Sequence, residues 1–260
     1  MVTTRILSNA QLFIDQIAND RDALSSVRTV FDILDSRRIP YPSRLLSVFY
    51  IKYQKNDVGV GNESFLAKFI IPKNGCFIDV GAWLGGWALF VAQKGFEVYA
   101  FEPSPIAVTI LKEKAKSYPN FHLYPFALGE EDSVKTLRVR TSSLMGIINE
   151  DNSASHYGKP VQIIVRKLDN LNIPNIEVIK IDTEGFEVPV LTGAKQTIQK
   201  YRPRLVIEVH KKTGQALNDY GLESKRIQKI LERMNYTWKS FFRPITASEM
   251  QPFLIAESKK

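Results

Sequence analysis

Two stretches of this sequence carry the residue types that chemistry needs. In the first, FIDVGAWLGG at 77–86, an apolar run ends at Asp79-Val80, Gly81 follows, and Gly85-Gly86 precede another apolar segment. Gly81 can take backbone angles closed to other residues. Gly85 and Gly86 let the chain and a helix N-terminus approach a bound molecule without a Cβ in the way. Glu102 closes the next apolar run, where a carboxylate can accept both hydroxyls of a ribose. The spacing Gly81-x-x-x-Gly85-Gly86 is not the G-x-G-x-x-G that a pyrophosphate requires, which disfavours a nicotinamide-dependent oxidoreductase. Asp79 would repel a pyrophosphate but attract a cationic amino-acid moiety. An adenosyl cofactor with a positive tail fits this pattern best.

In the second stretch, Asp182, Glu184 and Glu187 lie in IDTEGFE, and Glu208 and His210 in IEVH. Each group follows an apolar run and so stands at a strand tip, where ligands of open parallel sheets bind. A general base at such a tip can take the proton of a hydroxyl. His210 titrates nearest neutrality and is the first candidate; Glu208, Asp182 and Glu184 complete the catalytic set. The same four residues, Asp182, Glu184, Glu208 and His210, are an alternative ligand set for a divalent cation, although no metal is expected. Glu187, near a helix start, suits the positive end of the helix dipole. His122 in a strand and His156 in a polar insertion read as structural.

The elements that position these residues alternate from residue 76 onward. Strand-like runs at Cys76–Val80, Glu97–Phe101, Phe121–Ala127, Val178–Asp182 and Arg204–Val209 are separated by amphipathic helical segments. That order predicts an α/β fold, a Rossmann-like parallel sheet with helices on both faces. Pro105 and Pro189 mark first helical turns, and Ser224 precedes a further helix through Ile227, Ile230, Leu231 and Met234. Residues 1–60 read as an N-terminal helical cap with a strand pair near Leu45–Tyr53, and 61–260 as the main domain. Within it, residues 130–168 form a hairpin insertion whose polar tip, Asn149–Lys159, could serve as a lid. Tyr236–Phe242 and Phe253–Ala256 read as a strand pair closing the sheet edge.

Composition bounds the class. With 44% hydrophobic and 24% charged residues the chain is an ordinary globular sequence, and no apolar run approaches the ~20 residues of a membrane helix. The N-terminus lacks the apolar core of a signal peptide, and Cys76 is the single cysteine, so a cytoplasmic setting is expected without disulfides. The net charge of +8 leaves an alternative open: an RNA-binding protein or RNA methyltransferase with a basic face built from Arg202, Arg204, Lys211, Lys212, Lys225, Arg226, Lys229 and Arg233.

The stretches FIDVGAWLGG, FEPSP at 101–105, ALGE at 127–130, KLDNL at 167–171, VIKIDTEGFEVPVLTGA at 178–194 and RPRLVIEVH at 202–210 together resemble the FkbM-type family of class I S-adenosylmethionine-dependent methyltransferases. The resemblance spans about residues 60–260, and the KIDTEGFE block is its most specific part. It implies a seven-stranded sheet with an antiparallel final strand, S-adenosyl-L-methionine as cofactor, and O-methylation of a hydroxyl on a sugar, glycan or small natural product. In such proteins Asp79, Gly81 and Gly85 would line the methionine end, Glu102 the ribose, and Ala127 with Leu128 the adenine. Ala82, Trp83, Pro103 and Asp182 belong to the same turns. Trp83 departs from the asparagine usual in the family, so an amide contact at the methionine end is lost. Methyl transfer is an in-line displacement that chiefly demands alignment of donor and acceptor. Asp182-Thr183-Glu184-Gly185 replaces the (Asn/Asp)-Pro-Pro-(Tyr/Phe) turn of nucleobase amino methyltransferases. Cys76 opens its strand at the wrong end to serve as a cytosine C5 nucleophile.

Overall fold

A computed structural model describes residues 65–139, 146–148, 159–210, 220–244 and 250–259. The expected N-terminal cap, the strand pair near Leu45–Tyr53, the insertion tip at 149–158, His156, Lys211 and Lys212 lie outside the described residues. In chain order the elements are α1 (Ala67–Ile70), β1 (Cys76–Val80), α2 (Gly86–Gln93), β2 (Val98–Phe101), α3 (Pro105–Ala115), β3 (Phe121–Tyr124), β4 (Ala127–Leu128), β5 (Ser133–Val139), β6 (Gly146–Ile148) and β7 (Lys159–Arg166). They continue with β8 (Ile176–Ile181), α4 (Glu187–Gly193), α5 (Lys195–Tyr201), β9 (Arg204–Glu208), α6 (Tyr220–Arg233), β10 (Tyr236–Pro244) and β11 (Met250–Ser258).

The main sheet has seven strands in the order β10-β11-β9-β8-β1-β2-β3. β3, β2, β1, β8 and β9 run parallel, while β11 is antiparallel to β9. The inner strands β1, β2, β8 and β9 are rich in buried apolar residues because both faces are covered, as a parallel sheet demands. Ile78, Val80, Ile179, Ile181, Leu205 and Ile207 face one core with α4, α5 and α6; Phe77, Val98, Val178 and Val206 face the other with α1 and α2. The chain runs outward from β1 to β3 and then returns to the other side of β1 at β8. That reversal opens a crevice beyond the strand ends beside β1.

The sequence reading differs from the structure in three places. The hairpin expected within 130–168 forms by antiparallel pairing of Ser133–Val139 with Lys159–Arg166, but it belongs to a separate four-stranded sheet, β4-β7-β5-β6. The run Phe121–Ala127 is accordingly divided, with Phe121–Tyr124 in the main sheet and Ala127–Leu128 paired with Val165–Arg166 of the smaller one. A one-sided apolar pattern cannot say which sheet a strand joins. The helix marked at Ser224 already includes Tyr220, four residues before that mark.

Two motifs of the sequence prove architectural. In KLDNL, Asp169 accepts the N–H groups of Gln196 (3.0 Å) and Thr197 (2.8 Å), capping α5 from a distant segment. Gly193, at the end of α4, lies so close to the loop after β4 that a Cβ would sit 1.8 Å from the Gly129 carbonyl oxygen. Backbone-to-backbone contact there joins the small sheet to α4, which packs on the main one. Gly193→Ala is expected to destabilise the protein by about 2–3 kcal/mol through overpacking, measured by denaturant unfolding against the wild type.

Candidate active site

The crevice contains a cavity of about 240 Å³. Its walls come from the tips of β1, β2, β8 and β9, from the small sheet, and from Arg243 of β10. Three backbone bonds draw the strand tips together: Gly81 and Ala82 donate to the Phe101 carbonyl (2.9 and 3.0 Å), and Asp182 donates to the Val80 carbonyl (3.0 Å). Gly81 has φ +81°, and a Cβ on it would lie 1.8 Å from the Asp182 carbonyl oxygen. Only glycine can occupy that turn.

Glu102 at the end of β2 lines the cavity and is 6% exposed. Its Oε2 accepts the Trp83 N–H and its Oε1 the Ser104 N–H, both at 2.8 Å. Burial pushes its pKa up to about 7, against the pull of the two N–H groups. A carboxylate has about four acceptor positions, so two remain for ligand hydroxyls. Trp83 is 40% exposed with φ +48°, and this left-handed bend aims its N–H at Glu102. Phe101, Pro103, Ala127, Leu128, Leu137, Ile148 and Phe186 add an apolar wall suited to a planar base. With the acids Asp182 and Glu208 able to face a cation, these residues fit an adenosyl group with a positive tail.

Of the positions expected to bind a cofactor, Gly81, Trp83, Glu102, Pro103, Ala127, Leu128 and Asp182 line this cavity. Asp79, Ala82 and Gly85 do not line it. Gly85 is left-handed (φ +83°) as the cap of α2, and a Cβ on it would meet Leu111 of α3 at 2.4 Å. Asp79 is 1% exposed beneath the turn, 3.6 Å from Lys180 Nζ. Burial pushes its pKa up to about 6, which Lys180 opposes.

The candidate catalytic residues come together. Glu187 Oε1 accepts the N–H groups of Thr183 (3.2 Å) and Gly185 (3.0 Å), wrapping the β8–α4 turn around itself, and pairs with His210 Nδ1 at 3.0 Å. That turn holds Glu184 at φ +55°, a strained conformation for a side chain with a Cβ. His210 Nε2 then lies 3.7 Å from Asp182, 3.7 Å from Glu208 and 3.8 Å from Glu184. Burial works against the imidazolium, but Glu187, Glu184 and Asp182 outweigh it and raise its pKa to about 10. His210 is therefore held toward its protonated form near neutral pH. Glu208 is raised too: burial and the Asp182 charge take it to about 8 against the pull of His210, Lys180 and Arg243, the last of which donates to it at 2.8 Å. Burial raises Glu184 as well. Burial would also raise Asp182, but Lys180 and His210 overcome it and hold its carboxyl below the usual range.

Asp182, Glu208 and His210 also have ligand atoms within 4.8 Å of one another, the arrangement weighed as a cation site. Lys180 on Asp182 (2.9 Å) and Arg243 on Glu208 (2.8 Å) already supply positive charge there, so a metal is not needed to balance the cluster. Sequence reasoning missed Lys180, Arg243, Thr183, Phe186, Leu137 and Ile148. Lys180 had a readable signal, a lysine within the apolar run VIKI. Arg243 and the small-sheet residues had none, because only the fold brings them to the cavity. His122 stacks on Tyr99 at 4.7 Å and pairs with Glu97 at 2.7 Å on the edge strand, among residues outside the cavity lining.

Part of the supposed basic face is consumed by the fold. Arg202 donates to the carbonyls of Met234 (2.6 Å) and Asn235 (2.7 Å), Arg204 to Glu257 (3.0 Å) and the Phe69 carbonyl (3.2 Å), and Arg226 to Glu223 (2.6 Å).

Residues 79–237 match the methyltransferase FkbM domain. Hexuronic acid methyltransferase AglP of Haloferax volcanii is 25% identical over 156 residues, covering 59% of this chain and 59% of that protein. The crystal structure of methyltransferase FkbM from Methylobacillus flagellatus KT superposes with a TM-score of 0.50 at 19% identity, covering 87% of this chain and 57% of that one. The chain thus spans under three fifths of the length of both.

The shifted groups fix a pH dependence. His210 goes from an ordinary 6.5 to about 10 and Glu208 from 4.5 to about 8, so the folded state holds more protons than the unfolded chain between about pH 4.5 and 10. The stability contributed by His210 is complete below its unfolded value and is lost as pH rises through its folded one. Unfolding free energy should therefore fall between pH 7 and 10, with Asp182, Glu184, Glu187, Lys180 and Arg243 as the facing charges. The fall should be shallower in His210→Gln, as read by denaturant titrations at three pH values; equal slopes would mean His210 is neutral.

Proposed function

This chain belongs to the FkbM methyltransferase family, an S-adenosylmethionine-dependent methyltransferase domain, and we propose that its acceptor is a hydroxyl of a sugar or glycan. The observation that carries the reading is a cavity with an apolar side that carries Glu102 at the end of β2 and a side rich in carboxylates at β8 and β9. Asp182, Thr183, Glu184, Glu208 and Arg243 offer the dense polar contacts that a polyhydroxyl molecule uses. The sugar-directed name of the Haloferax relative supports the same class of acceptor.

Gly81, Trp83, Glu102, Pro103, Ala127, Leu128 and Asp182 are the residues that would hold the cofactor. When bound, S-adenosylmethionine supplies an electrophilic methyl carbon on a sulfonium. The chain's own part is to align and to manage charge. Glu102, fixed by two backbone N–H groups, sets the position of the ribose. Ionised Asp182 favours positive charge at the strand tip. Glu208 accepts the hydroxyl proton, since its raised pKa lies close to neutrality. Arg243 orients that carboxylate, and protonated His210 holds Asp182, Glu184 and Glu208 near one another against their mutual repulsion. The base role thereby passes from His210 to Glu208.

Glu102→Gln is expected to weaken binding of S-adenosylhomocysteine by roughly ten- to a hundred-fold while leaving the protein folded, because it removes a charge-assisted acceptor. Calorimetry with a circular-dichroism control reads both. The acceptor reading is tested by incubating the protein with methyl-labelled S-adenosylmethionine and neutral sugars, uronic acids, glycans, phenolic natural products and RNA. Label on a sugar that survives mild alkali marks a methyl ether on a hydroxyl. Alkali-labile label marks a carboxylate ester and moves the acceptor atom. Transfer to phenols or RNA alone would refute the sugar assignment.

A further inference from the structure

We infer that Lys180 is a positioning residue for the donor site, a buried cation that fixes the orientation of the Asp182 carboxylate at the cavity. Lys180 sits in β8 between Ile179 and Ile181, and its side chain is 5% exposed. Strand register places it beside Asp79 of β1. Its Nζ donates to Asp182 Oδ2 at 2.9 Å and lies 3.6 Å from Asp79 Oδ1. The other oxygen of Asp182, Oδ1, faces His210 Nε2 at 3.7 Å. Each carboxylate oxygen thus has its own cation, and the plane of the group is determined.

A purely structural role accounts poorly for this lysine. Withdrawing an ammonium from water costs several kcal/mol, and an apolar side chain of similar volume at a buried ion pair is often as stable or more so. On its own face of the sheet Val178 precedes it along β8 and Val206 pairs with it on β9, so an apolar residue would suit that face. What an apolar residue could not do is hold Asp182. Asp79 serves the lysine rather than the cavity: its Oδ1 accepts no hydrogen bond among the described residues, and the group does not reach the cavity wall. The chain of charge runs from Asp79 through Lys180 to Asp182, from beneath the glycine turn to the cavity. It anchors the tip of β8 to the tip of β1, where Asp182 N–H already binds the Val80 carbonyl.

This inference rests on the reading of Asp182 as a residue that faces the donor, and a double-mutant cycle separates the two. S-adenosylhomocysteine affinity is measured by calorimetry for Asp182→Asn, Lys180→Met and the double variant, with unfolding midpoints recorded for each. Each single change should weaken binding about ten-fold, and the double should be no weaker than roughly thirty-fold, because Lys180 acts through Asp182. A double variant weakened by the product of the singles, about a hundred-fold, overturns the inference, as does unchanged affinity in Lys180→Met. Unchanged affinity in Asp182→Asn overturns the reading of Asp182 and the inference together. Should Lys180→Met fail to fold, Lys180→Gln, whose amide still donates to Asp182, should bind S-adenosylhomocysteine within about three-fold of the wild type, and a loss of about ten-fold or more in that folded variant overturns the inference.

Discussion

Carboxylates withheld from water must be balanced by cations within reach, and this site is organised by that constraint. Asp79, Asp182, Glu187 and Glu208 crowd the tips of β1, β8 and β9, with Glu184 on the turn between. Lys180, His210 and Arg243 stand among them at 2.8–3.8 Å. In a low-dielectric setting neighbouring acids cannot all ionise alike. The cations divide them into two kinds: Asp182, next to Lys180, stays charged, while Glu208 holds its proton more tightly. Two acids pushed in opposite directions within one cavity can take different roles, one receiving positive charge and the other receiving a proton.

The geometry of those charges depends on backbone contacts that few residues permit. The absent side chain of Gly81 lets the β1 turn press against the Asp182 carbonyl, so the acid that follows β8 is placed by main-chain packing before any ion pair forms. Glu187 does the same for the next turn, gathering the N–H groups of Thr183 and Gly185 onto one oxygen while bonding His210. The small sheet is fastened by the Gly129–Gly193 contact and supplies Leu137 and Ile148 as apolar wall. Opposite that wall, Val134 of β5 and Ile164 of β7 point outward and are 66% and 48% exposed, the expected alternation of a sheet with a single buried face.

Much of this was legible in the residues. Continuous apolar runs announced buried parallel strands, and Cys76–Val80 and Arg204–Glu208 lie where those runs lie. Glu102, Asp182 and Glu208 were readable as strand-tip acids because a charged residue closing an apolar run must sit where the sheet ends. The purpose of Gly85 was not legible, since a glycine beside a turn looks alike whether it admits a ligand or the side chain of Leu111. His210 was read from its ordinary pKa, yet that value is a property of its neighbours, and four carboxylates converge on it only after folding.

The sequence alone determined the layered fold, the glycine turn and the acids at the strand tips, because hydrophobic period and backbone freedom act over a few residues at a time. The tertiary structure decided which acid is charged, which group holds a proton and which surfaces meet. Arg243 reaches Glu208 through a strand paired with the sheet's antiparallel member, and Leu137 reaches the cavity through a second sheet. Ionisation in a buried cluster depends on distances between residues remote in the chain, and no local pattern contains those distances.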